Sequence, residues 1–509
     1  MNTQQILELE KNTSLSILDS VDAIRIVSNS LLDSGTRGRK GQFMTSNYSC
    51  RILANMFENL DGNLTVLDAG AGVGSLTSAL VERSLLEFQP EIINSYTWEI
   101  EDLLIGPLKS SLSLCNDACA ESNTRWHSEI YHTDFIQSAI DILKLREKGL
   151  PTPTFNKAIL NPPYLKIAAK SKERELLRSV GVETGNLYSC FITLALMLLE
   201  DGGELVAITP RSFCNGPYFN DYRRVLLEGN NLSKIHIFES RKSAFKTDKV
   251  LQENVIFRIV KNRAQGNVEI VSSTCENDPT PLIRVVEFDE VVNPANPDKF
   301  IHIVTSEEQA TIANKISGLP CSLSDLGVEV STGKVVDFRN KPHLRHDPDQ
   351  TTVPLIFPMH FRNGKIQYPV QSNKKPNAIH LNEETVKMMV PNGTYLLTKR
   401  LTSKEETRRV VAGLYTPELT STDVVGFENK TNYFHANGSS LDINLAKGLW
   451  VYLNSTIVDQ YFRQFNGHTQ VNATDLRVLR YPSKSKLIEI GRQVDCYDQE
   501  LFDNLVLNL

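Results

Sequence analysis

The chain has 509 residues, 41% of them hydrophobic and 22% charged, with a formal net charge of −6. That length predicts two or three domains rather than a single core. The longest apolar stretch, Cys190 to Leu199, is about half of the roughly 20 residues a helix needs to cross a bilayer.

Taken in chain order, residues 1 to 35 read as helix, with apolar positions such as Ile6, Leu9, Leu18, Val21 and Ile24. Their first residues lack the basic and apolar regions of a secretory leader, so a cytoplasmic protein without membrane association is expected. A basic turn follows, Arg37-Gly38-Arg39-Lys40-Gly41, and then an amphipathic helix over about 47–59. Strands are predicted at 64–68, 95–100, near 130 and at 157–160, with a helix from about 75. This alternation is the sequence form of a doubly wound parallel α/β sheet. An apolar helix around 188–200 is expected to stop at Asp201-Gly202-Gly203 with glycine as a left-handed cap, after which 204–209 restarts as strand. Antiparallel strands are predicted at 233–238 and 253–260. Past residue 262 short extended runs, 268–271 and 283–286, alternate with turns such as Asn293-Pro294-Ala295-Asn296-Pro297. The predicted domains are therefore 1–262 and 263–509, the second a mixed α+β region with a helix over 441–465 and a polar loop at 467–472.

Two stretches carry chemistry. The first strand runs into Leu67-Asp68-Ala69-Gly70-Ala71-Gly72-Val73-Gly74, whose alternating glycines let a ligand approach the backbone. Such a turn can equally be structural, and it is not the Gly-x-Gly-x-x-Gly of dinucleotide enzymes. The order of the downstream elements sharpens it. Glu99 ends the next strand, where a carboxylate can accept from ribose hydroxyls. Asp134 and Phe135 follow the third strand and offer an acceptor for an exocyclic amine and a ring to cover adenine. Together they describe a pocket for an adenosine ligand. The second stretch, Asn161-Pro162-Pro163-Tyr164, also ends a buried strand. An aromatic NH2 is a poor nucleophile because its lone pair is delocalised, so a catalyst must accept from both its protons. The Asn161 side-chain oxygen and the Pro162 carbonyl can do so, the two prolines stiffen that carbonyl, and Tyr164 can stack on a planar substrate. The bland alternative is an ordinary Pro-Pro turn.

The charge is unevenly placed. Arg339 to Arg409 holds 13 Lys/Arg against 6 Asp/Glu, leaving −13 on the rest of the chain. That stretch is either a phosphate-contacting face or solvated surface. The eight cysteines form no Cys-x-x-Cys pair, and reduced thiols are expected rather than a metal or disulfide framework.

On these motifs the chain resembles, over most of its length, the gamma-order DNA adenine-N6 methyltransferases of bacterial type II restriction-modification systems. The resemblance implies a Rossmann-like catalytic domain that uses S-adenosylmethionine and no metal, followed by a target recognition domain. Lys40 to Thr45 is similar to the family's amino-terminal cofactor motif, which places Phe43 and Thr45 near the methionine part of the donor. Leu67 to Gly74, with Gly70 and Gly72, is similar to the main cofactor loop, where Asp68 meets the methionine amino group; Ala69 replaces a frequent proline. Glu99 then holds the ribose, Asp134 and Phe135 the adenine, and Asn161 to Tyr164 the target base. Phe245 is similar to the aromatic that packs on that base. The implied partner is double-stranded DNA, bound by a monomer, with a separate cognate restriction endonuclease as a further implied partner. Lys374, Lys375, Arg408 and Arg409 are the expected phosphate contacts. Gln470 and Asn472 are either base-edge readers or, for Asn472, a helix cap. Two other substrates remain open. Protein glutamine-N5 methyltransferases share Asn-Pro-Pro-Tyr but lack the large carboxy-terminal region, and structured RNA is an alternative carrier of adenine.

Overall fold

The computed structural model describes residues 16–31, 44–238, 253–274, 278–362, 364–372, 374–402, 406–467 and 469–507. Phe43 and Phe245 lie outside these residues. The chain divides into two compact units, one of residues 1–213 and 218–299, the other of 214–217 and 300–509.

In the first unit, helices α1 (Ile17–Leu31) and α2 (Asn47–Asn55) precede an alternating series: β1 (Asn63–Ala69), α3 (Ser75–Glu87), β2 (Ile92–Trp98), α4 (Asp102–Glu121), β3 (Arg125–Tyr131), α5 (Phe135–Glu147), β4 (Phe155–Leu160), α6 (Lys172–Arg178), α7 (Leu187–Leu198), β5 (Leu199–Pro210), α8 (Asn220–Leu227), β6 (Asn231–Phe238), β7 (Asn254–Val260), β8 (Val268–Ser273) and β9 (Leu282–Val286). They form one nine-stranded sheet in the order β3-β2-β1-β4-β5-β7-β6-β8-β9. The strands from β3 to β5 are parallel, and β7 is antiparallel to both β5 and β6. Helices cover both faces of the central strands, which is why these read as continuous apolar runs; Ala158, Ile159 and Leu160 are fully buried. Sequence order reverses between β1 and β4, and in such sheets ligands bind beyond the strand ends at that reversal.

The sequence boundary at 262 falls inside this unit. β8 pairs in parallel with β6, and β9 pairs antiparallel with β8, so the runs assigned to a second domain extend the first sheet. The turn at 201–203 also differs from expectation. α7 ends at Leu198, and Gly202, with φ +80°, sits within β5, where its N–H donates to the Lys261 carbonyl at 2.9 Å.

The second unit holds two smaller sheets, of six and five strands. The first includes Glu329–Thr332, Thr431–His435 and Tyr395–Lys399. Its core includes Leu396, Phe434, Trp450, Phe462 and Leu487. The helix expected over 441–465 is two, Ile443–Leu453 and Thr456–Phe465. Asn454 breaks it: its Nδ2 donates to the Trp450 and Ala412 carbonyls at 2.9 and 3.1 Å, and its Oδ1 accepts the Ala412 N–H. A side chain that competes for backbone groups in this way favours a helix end.

Candidate active site

A cavity at the carboxyl ends of β1, β2 and β4 collects most of the residues singled out from sequence. It is lined by Thr45, Gly70, Gly72, Glu99, Asp134, Phe135 and Asn161, with Met44, Trp98, Ile100, Leu104, Pro163 and Phe191 among the others. Gly70, Gly72 and Gly74 have φ of +76°, +61° and +85°, values that L side chains rarely adopt. The backbone donors of Gly70, Ala71 and Gly72 are already taken. Gly70 and Ala71 N–H both donate to the Trp98 carbonyl at 2.9 Å, and Gly72 N–H donates to Glu99 Oε2 at 2.7 Å. The turn therefore offers a close, Cβ-free surface and not the nest of open amides that cradles a phosphate.

Glu99 is buried and accepts two further N–H groups on Oε1, from Ile100 and Glu101, both at 2.8 Å. Burial raises its pKa, against these three donors. A carboxylate has about four acceptor sites, so one remains for a ligand hydroxyl. Asp134 caps α5 by accepting the Gln137 N–H on Oδ1 at 2.9 Å. Phe135 meets Trp98 edge-on at 5.5 Å and tilts on Phe191 at 5.0 Å, giving the cavity an aromatic wall. Phe191 was not legible from sequence: it sits in a helix apolar on all sides, where nothing distinguishes a cavity-facing ring from core.

Asp68 is the exception among the expected cofactor residues, because it is fully buried beneath the turn and does not line the cavity. Its Oδ2 accepts from Thr77 Oγ1 at 2.8 Å, while its Oδ1 has no partner. Burial, aided by repulsion from Glu99, raises its pKa to about 7.

Asn161 follows β4 directly and its amide is held on both sides. Nδ2 donates to Thr45 Oγ1 at 2.9 Å, and Oδ1 accepts from the Tyr164 hydroxyl at 3.0 Å. The Tyr164 hydroxyl is also 3.3 Å from the Ile208 carbonyl on β5, and its ring meets Tyr188 edge-on at 6.2 Å. Burial pushes that phenol well above its usual range, so it stays a neutral donor. Pro162 is buried, which fixes the backbone between Asn161 and Pro163.

Residues 90–245 match the Eco57I restriction-modification methylase family. The chain is similar to the type II methyltransferase M.PstI of Providencia stuartii, 54% identical over 97% of both chains, and to the type II methyltransferase M.BsuBI of Bacillus subtilis, 47% identical over 94% of both. The chain belongs to the type II methyltransferases of restriction-modification systems. Among solved structures it resembles the type IIL restriction-modification enzyme MmeI, described in complex with DNA, at 13% identity and a TM-score of 0.55 over 100% of this chain and 75% of that one, a likeness of fold. In this type II methyltransferase the doubly wound sheet is thus the methyltransferase fold, as expected from sequence.

The residues expected to meet DNA lie in the second unit, and they do not form one group. Lys374 is exposed. Lys375 is half-buried, pairs with Asp337 at 2.6 Å and lies 5.4 Å over the Phe357 ring. Arg408 donates to Thr456 Oγ1 at 3.2 Å. Arg409 contradicts the expectation: it is 1% exposed, and its guanidinium is spent on the Thr402 carbonyl and hydroxyl and on Asn466 Oδ1. It braces the loops at 402 and 466 from inside and cannot reach a phosphate. Gln470 and Asn472 do come together, around Arg400, whose Nη2 lies 3.5 Å from Gln470 Oε1 and from Asn472 Oδ1. Asn472 also starts the helix Ala473–Val478, its N–H donating to Asp475 Oδ2 at 2.9 Å. No motif marked Arg400, one of 13 basic residues in its stretch.

Proposed function

We propose that this protein transfers a methyl group from S-adenosylmethionine to N6 of an adenine extruded from duplex DNA, under the protection function of a restriction-modification pair. The observation that carries the reading is that the Asn161 amide lines the same cavity as Glu99, Asp134 and Phe135. A nucleoside-binding wall and a clamp for an amino nitrogen thus share one space.

The cavity's residues fit the donor. Glu99 retains one acceptor site for a ribose hydroxyl, Asp134 borders the space with only Oδ1 engaged among the described residues, and Phe135, Trp98 and Phe191 cover a planar base. When bound, S-adenosylmethionine supplies an electrophilic methyl group on a sulfonium.

The chain's own residues prepare the nucleophile. Asn161 Oδ1 and the Pro162 carbonyl accept the two N6 protons, which localises the nitrogen lone pair toward the methyl group. No strong base is needed, since the methylated nitrogen becomes acidic and sheds its proton afterwards. Tyr164 must first yield Oδ1, and the Ile208 carbonyl 3.3 Å away gives its hydroxyl a second acceptor. The Tyr164 ring then offsets the unstacking of the extruded base.

The test is incubation of the full-length protein with S-adenosylmethionine and genomic DNA, followed by digestion and mass spectrometry of the nucleosides. N6-methyladenine is the expected product. Modification of cytosine, of RNA adenine alone, or of a protein glutamine without any change in DNA would overturn the reading.

A further inference from the structure

In the second unit several loop tips are tied together around one guanidinium. Arg400 follows the strand Tyr395–Lys399. Its N–H donates to the Lys430 carbonyl and its own carbonyl accepts from Val471 N–H, both at 2.8 Å. Leu401 bridges Gln470, and Thr402 N–H donates to the Thr469 carbonyl at 3.1 Å. Gly333 N–H donates to the Thr431 carbonyl at 2.9 Å, which brings the exposed Lys334 to the same end of the sheet.

The Arg400 side chain is half-buried and under-used. Nη1 donates to the Asn429 carbonyl at 3.2 Å. Nη2 has only the two 3.5 Å contacts to Gln470 Oε1 and Asn472 Oδ1, and Nε is buried without a partner. Guanidinium donors withheld from water are costly unless acceptors are supplied. One edge of this fork is therefore aimed among amide side chains with its hydrogen-bonding capacity largely unspent.

We propose that Arg400 reads a guanine of the recognition site, donating from Nη1 and Nη2 to O6 and N7 in the major groove, with a long Nη2 contact to Gln470 or Asn472 giving way to the base. The proposal rests on duplex DNA being the substrate. Two acceptors spaced as O6 and N7 match the arginine fork, and this pairing is the commonest specific base contact. A phosphate would use the same donors. A recessed cation fixed by backbone bonds to two other loops suits a group that must be discriminated, whereas the exposed Lys334 and Lys374 suit the uniform backbone charge.

The experiment first maps the methylated site on genomic DNA with the full-length wild-type enzyme, then measures binding to duplexes in which each guanine in turn is 7-deazaguanine, which lacks the N7 acceptor. For the wild type, one position should weaken binding by about tenfold to a hundredfold. Arg400→Ala should make that position insensitive, with the salt dependence changed by less than one phosphate's worth. Arg400→Lys should not restore the discrimination, since an ammonium has no fork. Arg400→Gln is the second variant if alanine disturbs the loops. Uniform weakening on every duplex with a flatter salt slope would overturn the proposal in favour of a phosphate contact. A wild-type enzyme that methylates DNA but ignores 7-deazaguanine at every position would overturn it outright. Absence of DNA methylation by the wild type would overturn the proposed function itself, a result distinguishable from either.

Discussion

Asn161 and Thr45 lie 116 residues apart and meet in one hydrogen bond, Asn161 Nδ2 donating to Thr45 Oγ1 at 2.9 Å. Together with the Tyr164 hydroxyl on Oδ1, the bond holds the amide plane from both sides. Thr45 is thus a positioning residue for Asn161 as well as part of the cavity wall. Asn161→Ala is expected to abolish methylation while largely preserving donor binding, because its oxygen acts as the amine becomes a nucleophile. Thr45→Val should lower kcat about 2- to 12-fold, the equivalent of one ordinary hydrogen bond, and Thr45→Ser should restore most of it. Single-turnover rates with calorimetric donor affinities check both; an unchanged rate in Thr45→Val would remove the positioning role.

The two functions of Tyr164 separate by substitution. Tyr164→Phe keeps the ring but loses the hydroxyl that now occupies Asn161 Oδ1. It should retain a substantial share of turnover, since the hydroxyl must leave that oxygen in any case. Tyr164→Ala should lose about 1–3 kcal/mol of stacking on the extruded base. The fluorescence of 2-aminopurine at the target position reports the difference. Equal signals and rates in all three proteins would reduce Tyr164 to packing.

Asp68 sets a pH dependence. Burial, against the Thr77 hydrogen bonds and with a smaller push from Glu99, raises its pKa from 3.8 to about 7, so the fold prefers the protonated carboxyl. Its contribution to the stability of the ligand-free protein is intact below about pH 4 and is lost as pH rises through 7. At about 1.4 kcal/mol per unit the loss is on the order of 4 kcal/mol. Other buried carboxyls titrate as well, so the quantity to measure is the wild type against Asp68→Asn. Denaturant midpoints should move in favour of the variant between pH 4 and 7 and level off above. A stability difference that does not vary with pH would place the carboxyl in a solvated setting.

How much of the site could be read from the chain depends on how local each signal is. The strand-turn signature at 64–74 and the Asn161 to Tyr164 clamp are contiguous, and alternation of strand and helix dictates the parallel sheet, so the cavity's main residues were legible. Phe191 was not, because its role depends on α7 packing beside β4 and β5, a long-range fact. The strands at 268–273 and 282–286 were seen as strands but given to the wrong unit, since a run of residues does not reveal which edge it joins. Charge counting grouped Arg409 with Lys374, although one is buried and the other exposed. Composition along a chain carries no burial information.

That last pair yields a direct contrast. Arg409 supplies the Thr402 carbonyl, the Thr402 hydroxyl and Asn466 Oδ1 with their donor, and Asp459 Oδ1 accepts its backbone N–H at 2.5 Å. Arg409→Ala removes the first three bonds and keeps the last. Stranding three buried acceptors at about 1 kcal/mol each should cost roughly 2–4 kcal/mol and lower the Tm by several degrees. Because the guanidinium is enclosed, whatever DNA affinity the folded variant shows should keep the wild-type salt slope. Lys374→Ala should do the reverse, leaving the Tm within about a degree and, if the residue meets a phosphate, reducing the slope by about one. Calorimetric melting paired with binding titrations across roughly 50 to 200 mM salt reads both quantities on the same samples. A flattened salt slope in Arg409→Ala with an unchanged Tm would mean that the guanidinium turns outward in solution and that the loops at 402 and 466 are held by other bonds.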